Sequence, residues 1–172
     1  MKEIKILNQH LYERSPYKDF DKHKWEHFMN ISLEMAKTGY KEEEVPVGAV
    51  LINPKGEILA KSKNLSVKLC DPTAHAEILV LREGAKISQN YRLNNTVLIT
   101  TLEPCIMCFG AMIQARINGL VFGTKDPKSG SIVSKLDASE VFMWANHRFW
   151  IIYDILADKC SKILKDFFRQ KR

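Results

Sequence analysis

Two short motifs hold the side chains best suited to chemistry. The first is His75-Ala76-Glu77, and the second, starting 29 residues after His75, is Pro104-Cys105-Ile106-Met107-Cys108. Cysteines at i and i+3 project from one face of a helix, so Cys105 and Cys108 can grip one ion. In a first helical turn they also sit at the positive end of the helix dipole, which favours thiolates. An imidazole with two thiolates is a soft donor set suited to Zn²⁺ in tetrahedral geometry. Three protein ligands leave a fourth position for water, the catalytic pattern rather than the closed structural one. Cys70 is the alternative fourth ligand that would close the site, but Asp71-Pro72 is expected to turn the chain between it and His75. Glu77 falls about 200° around a regular helix from His75 and should not coordinate the same ion. It can lie beside the metal-bound water and move its protons.

Elements that place these motifs are legible from periodicity and punctuation. From Trp25, the residues Phe28, Met29, Leu33 and Ala36 recur at helical spacing up to Gly39. An apolar run at 45–52 reads as a strand, and Asn53-Pro54-Lys55-Gly56 is turn chemistry into a second strand at 57–61. Asp71-Pro72-Thr73 reads as a helix start in front of 74–84, and Pro104 opens a helix at 105–116. Strands are expected at 96–101, 119–123 and 147–153, with a polar loop after Gly123. Leu156, Cys160, Ile163, Leu164 and Phe167 mark a last amphipathic helix, with Cys160 on its apolar stripe. Strands alternating with helices imply a layered α/β domain.

Composition narrows the class. The chain has 172 residues, 45% of them hydrophobic and 27% charged, which suits one globular domain and excludes a disordered tail or a fibre. No apolar run approaches the roughly 20 residues that span a bilayer, and four cysteines do not make a disulfide scaffold. A cytoplasmic protein without a membrane partner is the expectation. Residues 1–22 read as a polar extension outside the core, leaving 23–172 as the domain. The net charge of +6 is uneven: residues 159–172 hold six Lys/Arg and one Asp, whereas the body between 25 and 158 is nearly neutral. A basic terminus of this kind is either a solvated tail or a nucleic-acid contact.

Joined in this order, H-x-E and P-C-x-x-C form the signature of zinc-dependent nucleobase and nucleoside deaminases. The sequence more closely resembles the bacterial tRNA-specific adenosine deaminases. The resemblance rests on Glu44-Val-Pro-Val-Gly-Ala-Val50, Asp71-Pro-Thr-Ala-His-Ala-Glu-Ile78, Tyr91-Arg-Leu93 and Thr101-Leu-Glu-Pro-Cys-Ile-Met-Cys108. It continues through Gly110-Ala-Met-Ile113, Val121-Phe-Gly123, Asn146-His-Arg148, Ile155-Leu-Ala-Asp158 and Phe167-Phe-Arg169. The stretch at 129–144 departs from the family, with Phe142-Met-Trp144 in place of a Pro-Gly-like turn.

The resemblance implies a three-layer α/β/α cytidine-deaminase-like fold around a five-stranded mixed sheet. It further implies a homodimer that binds the tRNA anticodon loop and converts adenosine to inosine at the wobble position. Carried onto this chain, His75, Cys105 and Cys108 bind one zinc and Glu77 shuttles protons. Asn64 holds the flipped base, with Pro46, Val47 and Ala76 around it. Asp126 and Lys128 contact neighbouring nucleotides, and Phe168 and Arg169 wedge beside the splayed bases. The rival reading is a zinc deaminase of a free nucleobase or nucleotide, of guanine or cytidine type, which shares the metal site but needs neither Asn64 nor the basic end.

Overall fold

The computed structural model describes residues 5–171, so the first four residues of the expected extension and Arg172 of the basic tail lie outside the described residues. The elements run β1 (Lys5–Leu7), α1 (Gln9–Tyr12), α2 (Lys22–Lys41), β2 (Gly48–Ile52), β3 (Ile58–Lys63), α3 (Ala76–Ile87), β4 (Val97–Leu102), α4 (Ile106–Ala115), β5 (Gly119–Thr124), α5 (Ala138–Trp144), β6 (Trp150–Tyr153) and α6 (Ala157–Gln170). The strands form one mixed sheet in the order β1-β6-β5-β4-β2-β3. Pairings β4–β5 and β5–β6 are parallel, and the other three are antiparallel.

Three layers follow from the alternation of side chains along the central strands. Val97 and Ile99 of β4 join Val50, Ile52, Val121 and Ile152 under α2 and Cys160 of α6. Leu98 of the same strand points the other way, with Leu51, Leu120 and Ile151, toward α3, α4 and α5. Both faces are covered, which explains why β2, β4 and β5 read as continuous apolar runs rather than alternating ones. The α2 layer lies close on the sheet at Gly48, where a Cβ would overlap the carbonyl oxygen of Ser32.

Six strands stand where five were expected, and the addition comes from the segment read as an extension. Lys5–Leu7 pair antiparallel with Ile151–Tyr153 of β6. Beyond them, Tyr12 is buried and Tyr17 is fully buried, so this segment belongs to the core rather than outside it. The Tyr17 hydroxyl donates to Asn95 O at 2.6 Å, and its ring lies 6.0 Å from Trp150 and 6.1 Å from Trp25. Tyr17→Ala is therefore expected to cost about 3–5 kcal/mol, the usual range for deleting a fully buried aromatic ring. Urea unfolding of the two proteins checks it; a loss below about 1 kcal/mol would return the segment to the status of an appendage.

Elsewhere the expected elements appear with shifted ends. The run at 45–52 begins pairing only at Gly48, and the strand at 147–153 only at Trp150. Asp71-Pro72-Thr73 forms a side-chain turn, Asp71 Oδ1 accepting from the Thr73 N–H and hydroxyl, and α3 starts later, at Ala76. The polar loop after Gly123 contains the short helix α5, whose N-cap Asp137 accepts from the Ser139 N–H at 2.8 Å.

Candidate active site

The site gathers at one end of the sheet, where β3, β4 and β5 end at their carboxyl termini and β2 begins. Pairing of Gly48 with Lys63 sets Val47 beside Asn64, and Asn64 N–H donates to Val47 O at 3.1 Å. After β4 the chain passes Glu103 and Pro104 into α4, and after β5 it enters the loop that carries Asp126 and Lys128. Clefts at the carboxyl ends of parallel strands are the usual ligand sites of open α/β sheets.

His75 and Cys105 are the N-caps of α3 and α4, both in extended backbone conformations. The His75 Nδ1 atom lies 3.7 Å from Cys105 Sγ and 3.5 Å from Cys108 Sγ, and the two sulfurs are 3.7 Å apart. The three ligand atoms all fall within 4.8 Å of one another, a spacing one cation can bridge. Cys105 stands just before the helix rather than inside it, yet its sulfur still meets that of Cys108 across the first turn. A hydrogen bond from the Cys108 thiol, with that of His75, holds Cys105 down to about 4. The same bond, together with burial, pushes Cys108 up. Two sulfurs and an imidazole at this spacing form a donor set for a soft divalent cation. Cys70 is exposed, its Sγ 3.7 Å from Val67 O, and it does not belong to the group. Cys160 is fully buried.

Glu77 lies in the first turn of α3 and is 3% exposed. Its Oε1 accepts from the Thr100 hydroxyl of β4 at 3.0 Å, which fixes the carboxylate, while Oε2 lies 3.7 Å from Cys108 Sγ. Burial raises the Glu77 carboxyl above its ordinary value. A carboxylate so placed, beside the ligand group and tuned toward proton exchange, suits a general acid–base residue.

A cleft of about 1000 Å³ opens over these groups. Its walls include His75, Glu77, Cys105, Asn64, Val47, Asp126, Lys128, Phe168 and Arg169, so most of the expected site residues share one space. Asn64 Oδ1 accepts from the Ala76 N–H at 2.9 Å, which fixes the amide orientation and leaves the NH₂ side without a protein partner among the described residues. Ala76 is thus buried as the anchor of Asn64, and Pro46 is buried and does not line the cleft. The Asp126 carboxylate accepts from Lys128 N–H at 2.9 Å and Ser129 Oγ at 2.6 Å, holding its own turn. On α6, Phe167 turns inward, edge-on to Tyr40 at 5.6 Å, while Phe168 is 51% exposed at the cleft.

Two buried carboxylates of the cleft are without a role in the sequence reading. Glu44 and Glu103 are carboxylates only 1% and 2% exposed. Glu44 accepts from the N–H groups of Val67 and Lys68 at 3.2 and 2.8 Å, and Glu103 holds the opposite lip. Glu103 stands inside the Thr101–Cys108 motif, but nothing in its residue type announces burial.

Residues 22–124 match the family model of the cytidine and deoxycytidylate deaminase zinc-binding region, so the fold and the His/Cys/Cys site define a zinc-binding deaminase domain. A tRNA-specific adenosine deaminase of Haemophilus influenzae is 45% identical over 147 residues, covering 86% of this chain and 84% of that one. The tRNA-specific adenosine deaminase of Bacillus subtilis is 37% identical, covering 84% and 89%. A structure solved in work on A-to-I editing by tRNA:A34 deaminases superposes with a TM-score of 0.75 at 36% identity, over 80% of this chain and 99% of that one. The chain belongs to the tRNA-specific adenosine deaminase family. A guanine deaminase of Nitrosomonas europaea shares the fold, with a TM-score of 0.72 at 22% identity over 83% of each chain.

Proposed function

We propose that this protein hydrolytically deaminates adenosine to inosine at the wobble position of a tRNA anticodon, as a homodimer in the cytoplasm holding one zinc per chain. The observation that carries this reading is the continuity of one cleft, from the His75/Cys105/Cys108 group and Glu77 out to exposed Phe168 and Arg169. A free base needs only the inner part. The outer rim, with Lys125, Lys128, Lys165, Arg169 and Lys171, suits a polyanion.

His75, Cys105 and Cys108 would hold the zinc, and when bound it supplies the Lewis acidity that brings the pKa of a water near neutrality. With zinc bound, Glu77 would carry the two protons of the attacking water to the substrate, one to the ring nitrogen and one to the amino nitrogen that leaves as ammonia, while the Thr100 hydroxyl keeps Oε1 in place. Asn64 presents its NH₂ group to an acceptor on the base. Phe168 offers a face on which an unstacked loop base can lie. An anticodon loop is single-stranded, so extruding one base costs less than it would in a duplex.

Zinc-loaded protein incubated with an anticodon stem-loop bearing adenosine at the wobble position should form inosine. Guanine and cytidine are offered in parallel. Turnover of a free base with no inosine in any adenosine-wobble RNA would replace this reading with the free-base one.

The basic end of α6 yields a separate expectation. Phe167 is part of the core, so point substitutions test the outward face better than truncation. Replacing Lys165 and Arg169 together with Ala should weaken RNA binding and reduce its salt slope by roughly one unit per lost phosphate contact, with zinc content unchanged. Filter binding across a salt series reads this out. An unaltered slope would assign the charge to solubility alone.

A further inference from the structure

The lip of the cleft that carries Asp126 and Lys128 has little regular structure of its own, yet it is tied down by one buried side chain. Glu103 Oε1 accepts from three consecutive amides, Ile132 at 3.0 Å, Val133 at 2.8 Å and Ser134 at 3.0 Å. Its Oε2 accepts from the Asp126 N–H at 3.0 Å and from the Ser134 hydroxyl. Five donors thus converge on one carboxylate, each charge-assisted in a water-poor setting. The backbone closes around it: Ser131 N–H donates to Pro104 O at 2.9 Å, and Cys105 forms an isolated bridge with Gly130. A Cβ at Gly130 would overlap the Glu103 carboxyl group and lie 2.7 Å from Asp126 O. Glu103 is also two residues before Cys105, at the joint between β4 and α4. One side chain therefore links the joint presenting a metal ligand to the loop facing the outer cleft.

We propose that Glu103 is a positioning residue for substrate, fixing the 125–129 lip at a set distance from the His75/Cys105/Cys108 group. It touches neither the ligand group nor the reacting atoms. This rests on the reading that the outer cleft takes RNA. Only an acceptor-only group satisfies the five donors. In Glu103→Gln the amide can keep the three bonds at the Oε1 position, but its NH₂ then opposes the Asp126 N–H donor. The substitution therefore loosens the Asp126 end of the lip while preserving shape and volume.

The test uses the full zinc-loaded chain as wild type, Glu103→Gln and the milder Ser134→Ala, with an anticodon stem-loop as substrate. In Glu103→Gln, KM should rise about tenfold while kcat stays within about threefold and zinc content is unchanged. Ser134→Ala should move KM in the same direction by a smaller factor, and it carries the test if Glu103→Gln does not fold. A merely structural role would lower the active fraction, and so kcat, without raising KM. Unchanged KM in both variants with an active wild type, or a fall in kcat alone, overturns the proposal. Amide exchange of 126–134 keeps the outcome separate from the deamination reading. If wild type makes no inosine, that reading fails, but faster exchange at Asp126 in Glu103→Gln still supports the clamp and unchanged exchange refutes it.

Discussion

Glu77→Ala should retain zinc at the wild-type level and lose turnover by about 10²–10⁴-fold, the range typical of removing a general acid–base group. The side chain is bound to the Thr100 hydroxyl and stands next to the ligand group without being one of its three members. Its removal leaves His75, Cys105 and Cys108 in place, and if RNA binds through the outer cleft as proposed, that binding should change little. Metal analysis, stem-loop binding and single-turnover inosine formation on one sample separate these effects. Wild-type turnover in the variant would remove Glu77 from the chemistry; loss of zinc would make it a ligand.

Cys108→Ser should have the complementary outcome, with metal and turnover lost together. Cys108 is fully buried, and serine offers a harder, poorly ionised oxygen in its place. Affinity for zinc should fall by more than the roughly 10–100-fold seen when only an outer-shell partner is removed. Metal binding also contributes to folding, so the midpoint of thermal unfolding should drop in the variant but not in Glu77→Ala. Zinc content by mass spectrometry under native conditions and a thermal melt check both. Stoichiometric zinc with full activity in Cys108→Ser would exclude Cys108 as a ligand.

The grouping of His75, Glu77, Cys105 and Cys108 was legible because each motif is local. His75-Ala76-Glu77 and Cys105–Cys108 each occupy one helical start, where spacing alone fixes which side chains converge. The layered fold was legible for a similar reason, since long apolar runs and strong helical periods mark β2, β4, β5, α2 and α6. What was missed depends on partners distant in sequence. Lys5–Leu7 is a strand only because β6 lies beside it, and Tyr12 and Tyr17 are buried by Trp25 and Trp150 rather than by any period of their own. The seven residues of α5 are too few to show a period. Glu44 and Glu103 were unreadable because a carboxylate is by default solvated, and only the converging amides of another loop make burial tolerable.

The N-terminal strand has a consequence for how copies of the chain meet. By occupying the flank of β6, Lys5–Leu7 satisfies backbone groups that would otherwise template growth of the sheet into a second molecule. Among the described residues, the strand left outermost on that side spans Lys5–Leu7 and carries Lys5, paired with Asp154 at 2.7 Å, a charge that disfavours such growth. A few residues at the edge of the sheet thus cover the flank of β6 against strand addition.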